Sequence, residues 1–198
     1  MAMSLDLYEH RLQGSSPPIQ PQVSLNPLMS SLQLIPLHNA LRKDTTVTPN
    51  IDLWLEHPIL QAHALAIQAE LHRQNNDLTQ AVQTYRNALA SFSSSLLPQW
   101  LHREILLQTA VTHIATYGWR HQSIRTLLEE VQKLSPGQTP TFDYLWGIYL
   151  LATQQVEHQP TAIEALERYL IHQPDHCLVI RTLLPLYQKR NDTEHVAR

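Results

Sequence analysis

Apolar residues recur along most of this chain at spacings of three and four. Leu60, Ala64, Ile67 and Leu71 make one such stripe, and Leu78, Ala81, Val82, Tyr85, Leu89, Phe92 and Leu96 the next. Leu107, Ala110, Val111, Ile114 and Tyr117 follow, then Ile124, Leu127, Leu128, Val131 and Leu134. Phe142, Leu145, Tyr149, Ala152 and Val156 continue the pattern, as do Ile163, Leu166 and Leu170, and finally Ile180, Leu183, Leu184 and Tyr187. Each stripe predicts one amphipathic helix with its apolar face turned inward. Tyr85 and Leu128, central in their stripes, are expected in the core. Sustained period-two alternation is lacking, so no sheet is expected.

Breakers fall between the stripes: Asn75-Asn76-Asp77, Pro98, Gly118, Ser135-Pro136-Gly137, Pro140, Pro160 and Pro174-Asp175. They predict about eight helices joined by short loops, an all-α fold with neighbouring helices antiparallel. Pro36, Pro58 and Pro185 lie inside apolar stretches, where a missing backbone donor predicts a kink or a helix start. Residues 1–24, with Gly14, Ser15, Ser16, Pro17, Pro18 and Pro21, read as a flexible tail, and Met1-Ala2 ahead of Met3 as a cloning addition. The helical domain is expected over residues 25–198.

Only 16% of the 198 residues are charged and the net charge is −3, so no basic excess is present to neutralise a nucleic acid backbone. Cys177, the single cysteine, excludes an internal disulfide and a cysteine-based metal site. No run approaches the roughly 18 to 20 apolar residues that span a bilayer. The four glycines form neither a phosphate-cradling loop nor a nucleophile elbow. Of the twelve histidines, His172 and His176 are four apart, but Pro174-Asp175 interrupts the helix that would bring them together. Glu129 and Glu130, as helix neighbours, point about 100° apart and would not share a site. Cys177 and Ser93-Ser94-Ser95 lack a matched base. Trp54, Trp100, Trp119 and Trp146 have stacking capacity, though core packing is the commoner use. No metal, cofactor or catalysis is therefore expected, and binding to other proteins is the remaining role.

Two resemblances bear on that role. The stretch from Ala62 to Ala88 resembles a tetratricopeptide repeat, a helix pair of 34 residues. Ala69, Ala81 and Ala88 stand where paired helices cross, Asn76-Asp77-Leu78 stands at the turn, and Tyr85 is the expected aromatic. Ile124, Ala162 and Val196 align with Ala81, at uneven intervals. This resemblance implies an adaptor or chaperone that binds a peptide or a partner protein.

The second resemblance runs over about 130 residues, to the cytoplasmic domain of the DotU/TssL family of type IVB and type VI secretion systems. Asn26-Pro27-Leu28-Met29 is similar to the opening motif of that domain, followed by Leu32, Leu34, Ile35, Leu37 and Leu41-Arg42. Leu97-Pro98-Gln99-Trp100 is similar to its Pro-Trp segment, His113-Ile114-Ala115-Thr116-Tyr117-Gly118 to its next motif, and Leu145 to Leu150 to a later one. It implies two small antiparallel bundles packed as one domain. It also implies a structural component of a bacterial membrane complex at the cytoplasmic face of the inner membrane. Implied partners are the large inner-membrane component, baseplate proteins and a second copy of the chain. Ser93 and Ser94 stand where the family has acids, so Ser93, Ser94, Gln99 and Trp100 are the expected partner surface. Asn26, Pro27, Leu28, His113, Thr116, Tyr117 and Gly118 are the expected motif residues. The natural chain is then expected to continue past Arg198 into a membrane anchor.

Overall fold

A computed structural model describes residues 51–56, 60–92, 99–134 and 139–189. The expected tail, Asn26, Pro27, Leu28, Pro36, Pro58, Ser93 and Ser94 lie outside the described residues. A single helical turn, α1 (Asp52–Leu55), precedes α2 (Gln61–Gln74), α3 (Leu78–Ser91), α4 (Gln99–Tyr117) and α5 (Gln122–Leu134). Then come α6 (Pro140–Ala152), a 3-10 turn (Val156–His158), α7 (Gln159–His172) and α8 (Cys177–Lys189). Among the described residues there is no strand, and the fold is all-α.

Local chemistry sets the helix ends. At the α2–α3 turn Asn76 takes φ 60°. Its N–H donates to the Arg73 carbonyl, and that of Asp77 to the His72 carbonyl, satisfying two carbonyls that the helix end leaves open. Asp77 then caps α3 by accepting from the Gln80 N–H at 3.1 Å. Gly118 closes α4 at φ 80°, a left-handed conformation that costs glycine little. Thr139 caps α6, accepting from the Phe142 N–H at 3.3 Å, and Pro140 fills the first turn, where its missing donor is harmless. Pro185 lies within α8, which runs on through it, and neither starts nor ends the helix.

Packing is sequential. The most extensive contacts join α2 to α3, α4 to α5 and α6 to α7, each pair an antiparallel hairpin. The first helices of successive hairpins also touch, α2 with α4 and α4 with α6. Ala62, Ala66 and Ala69 of α2 pack with Tyr85 and Ala88 of α3 and Leu101 and Ile105 of α4. Leu106, Leu107 and Ala110, further along α4, belong to a second cluster with α5 and α6. A third cluster sets Trp54 of α1 against Ala64 and Ile67 of α2, and a fourth joins Ile163 and Leu166 to Val179, Leu183 and Tyr187. Tyr85 and Leu128 are fully buried, as the stripes predict. Ala69, Ala81 and Ala88 are fully buried as well, and so are Ile124 and Ala162, which align with Ala81.

Among the described residues, four stripe residues depart from the expectation. Tyr117 and Val156 are exposed because α4 and α6 end at or before them. Ile180 and Leu184 are 43% and 39% exposed. The described helices that cover α8 lie on the side of Val179, Leu183 and Tyr187, away from these two.

The α6–α7 hairpin also buries a charge. Asp143 Oδ1 accepts from Arg168 Nε at 3.1 Å and Nη2 at 2.9 Å. The aspartate side chain is 5% exposed and the arginine 38%. Breaking a wholly buried pair by removing one partner costs about 3 to 5 kcal/mol, and the exposure of Arg168 lowers the figure. Arg168→Met is expected to lose about 2 kcal/mol in urea unfolding, and Asp143→Asn with Arg168→Met to recover part of it. A double variant no more stable than the single one would show that the buried charge is not the cause.

Candidate interaction surfaces

One open groove of about 330 Å³ lies where α5, α6 and the start of α7 meet. Three residues on one face of α5, Arg125, Glu129 and Gln132, form one wall. The floor comes from α6, where Phe142, Trp146 and Tyr149 follow one another along the helix. Trp146 stacks between the other two, at ring-centroid distances of 6.0 Å and 5.9 Å. Phe142 and Tyr149 are buried and Trp146 is half-buried, so Trp146 is the most exposed of the three rings. Gln155 and His158, from the turn before α7, and Thr161 of α7 close the far side.

The electrostatics of the groove are balanced. Arg125 Nε donates to Glu129 Oε1 at 2.7 Å, and solvent reaches both groups. Burial raises the pKa of the Tyr149 phenol, with Arg125 opposing and Glu129 adding to that shift. Thr153 donates to the Leu150 carbonyl at 2.6 Å and stands 3.4 Å from His158 Nδ1. Among the described residues no cluster of three or more His, Cys, Asp or Glu stands ready to hold a metal ion. His172 ends α7 and His176 precedes α8, on opposite sides of the Pro174-Asp175 turn.

The expected partner surface is described only at its edges. Gln99 and Trp100 open α4, both exposed, with Trp100 at 42%. Phe92, at the other edge, stacks on His102 at 4.3 Å. Gln99 and Trp100 are thus available to solvent.

The His113 to Gly118 motif is explained by internal packing. His113 is buried, its Nδ1 2.9 Å from the Thr109 carbonyl. A carbonyl only accepts, so Nδ1 carries the proton and Nε2 is left to accept from Arg86 Nη2 of α3, 3.2 Å away. Burial lowers the pKa of this imidazole; the Thr109 bond opposes the shift, and Arg86 and His121 add to it. A neutral His113 thus ties α4 to α3. Thr116 donates to the Thr112 carbonyl at 2.7 Å, and Tyr117 stacks on His121 at 4.7 Å. Together with Gly118 these residues make the end of α4.

The chain matches no family model, no curated protein and no solved structure. Its likeness to the DotU/TssL domain therefore rests on the sequence motifs alone. No helix among the described residues is long and apolar enough to cross a membrane. The stripe pattern placed Trp146 on a helix without revealing the groove. The spacing of Phe142, Trp146 and Tyr149 was the available signal, because it sets three aromatic rings along one side of α6.

Proposed function

We propose that this chain is a scaffold of helical hairpins that binds a partner protein, as tetratricopeptide-type adaptors do. The observation that carries the reading is the sequential packing of the hairpins: each second helix lies against its own first, α3 and α5 pack on the first helix of the next hairpin, and α2 touches α4 as α4 touches α6. Hairpins stacked in this way present extended faces, and binding surfaces of repeat proteins are built on such faces. The buried small residues Ala69, Ala81, Ala88 and Ala162 support it, because they allow close crossing within the α2–α3 and α6–α7 hairpins. The reading as a secretion-complex component gains no support from the contacts described.

Photo-crosslinking in the native cell tests the proposal. A photoreactive residue replaces, one at a time, exposed positions of α4, α5 and α7. The expected result is one partner protein crosslinked from adjacent positions. Crosslinks to inner-membrane or baseplate proteins would instead favour the secretion reading. Absence of any protein crosslink from every position would overturn the scaffold proposal.

A further inference from the structure

His113 lies buried at the contact between α3 and α4, with both ring nitrogens engaged. We infer that it makes this contact an acid-sensitive joint. A second proton on His113 breaks its bond to Arg86 and loosens the first hairpin, α2–α3, from the rest of the stack. This regulation of the fold is independent of the scaffold reading.

Hydrogen bonding decides which form of the ring fits. Nδ1–H donates to the Thr109 carbonyl at 2.9 Å, within α4, and Nε2 accepts from Arg86 Nη2 at 3.2 Å, across the joint. An imidazolium has two N–H donors and no acceptor. After protonation two donors would face each other at Arg86, each on a cation. The bond within α4 survives, and the bond between the helices does not.

The surroundings offer the added charge no partner. From α3 the ring meets Arg86, a permanent cation. Within α4 it meets Tyr117 at a ring-centroid distance of 5.7 Å, and from the turn to α5 it meets His121 at 6.0 Å. Arg86 and His121 are the charges that act on it, and both disfavour a second proton. Among the described residues, α2, α5 and α6 bring no carboxylate to bear on it. Burial, the largest cause, works in the same direction, against the Thr109 bond. A histidine whose folded-state proton affinity is lowered stabilises the fold above the ordinary imidazole value of about 6.5. That contribution is lost as the pH falls below it, because the opened form then takes up the proton more readily.

Position makes this a joint. Among the described helices, the contact of α3 with α4, and the lesser one of α2 with α4, hold the first hairpin to the second. His102, about three turns earlier on the same side of α4, stacks on Phe92 at the other end of the α3 contact. Burial lowers its proton affinity too, but Glu130 of α5, 3.9 Å away, opposes that shift. A charge on His102 is therefore drawn to the second hairpin and meets an uncharged ring on α3. Of the two histidines, only His113 sets a cation against a cation across the joint.

The test follows amide hydrogen exchange along the intact chain at about pH 7 and about pH 5, corrected for the intrinsic effect of pH, in the parent, His113→Gln and Arg86→Gln. In the parent, the amides of α3 are expected to open about tenfold more often at the lower pH, and those of α7 and α8 to change much less. Glutamine at position 113 donates and accepts without titrating, so the acid response of α3 should vanish. Arg86 is exposed, and Arg86→Gln removes the facing cation without disturbing the core, which keeps the result readable if His113→Gln does not fold. Its response should be smaller than that of the parent but not zero, because burial of the ring remains. NMR titration of the His113 ring should give a midpoint below the ordinary imidazole value. An acid response of α3 that persists at full size in either variant would overturn the joint. So would a rise in exchange spread evenly from α2 to α8, or a His113 midpoint at or above the ordinary value. Each of these outcomes leaves the scaffold reading to its crosslinking test.

Discussion

Gly147→Val is expected to lose about 3 kcal/mol of unfolding free energy, near the upper end for overpacking a filled core. A Cβ built at Gly147 would stand 2.6 Å from Leu166 Cγ, 2.8 Å from its Cδ2 and 3.1 Å from the Ala162 carbonyl oxygen. Leu166 is fully buried between α6 and α8, so it has little room to turn aside, and the carbonyl belongs to the backbone of α7. Relief has to come from parting the two helices, which strips contacts from the whole hairpin. Gly147→Ala tests the same crossing more gently. Alanine gains about 1 kcal/mol of helix propensity over glycine, which offsets part of the clash. The expected order in urea unfolding is glycine most stable, alanine slightly less and valine far less. Alanine more stable than glycine would mean that Leu166 yields easily and the crossing is not tight.

Leu128→Ala should cost about 2 to 5 kcal/mol, through lost burial and the cavity left behind. Leu128 is fully buried in a cluster with Leu106, Ala110, Val131, Leu145 and Ala162, drawn from four helices. Collapse of so many walls onto the gap would pull hairpins out of register, so the upper half of that range is expected. Leu128→Met, which nearly conserves volume, should cost less than about 1.5 kcal/mol. Equilibrium unfolding of both variants separates a packing role from a general intolerance of change. A loss under about 1 kcal/mol for alanine would show that the site is loosely filled.

Helices were legible where one face alternates in character on a helical period, as at Ile124, Leu127, Leu128 and Val131. Their ends were legible where the cause is local: Asn76 and Asp77, Gly118 and Pro140 act on backbone within a turn of themselves. What escaped the sequence depends on contacts between distant segments. Gly147 sits in the apolar run Leu145 to Leu151, and nothing there says that Leu166 lies against it. Glu70, fully buried and bonded to the Tyr85 hydroxyl at 3.1 Å, reads in the sequence as a surface charge, and Asp143 does too. The groove draws on three elements and becomes visible only once they meet. Ile180 and Leu184 show the opposite limit: a stripe reveals an apolar face, not whether a neighbour covers it.

Sequential packing also governs how the molecule comes apart. Among the described helices, substantial contact never reaches beyond the second neighbour along the chain. Contacts this local make closure of long loops unnecessary for folding, which favours rapid folding. They also let opening begin at one end: detaching α8 breaks only its cluster with α6 and α7 and leaves the Tyr85 core untouched. Under tension between its termini, such a chain yields hairpin by hairpin, and the resistance at each step belongs to one interface. A partner laid across the groove would bridge α5 to α7 and join two hairpins into one mechanical unit.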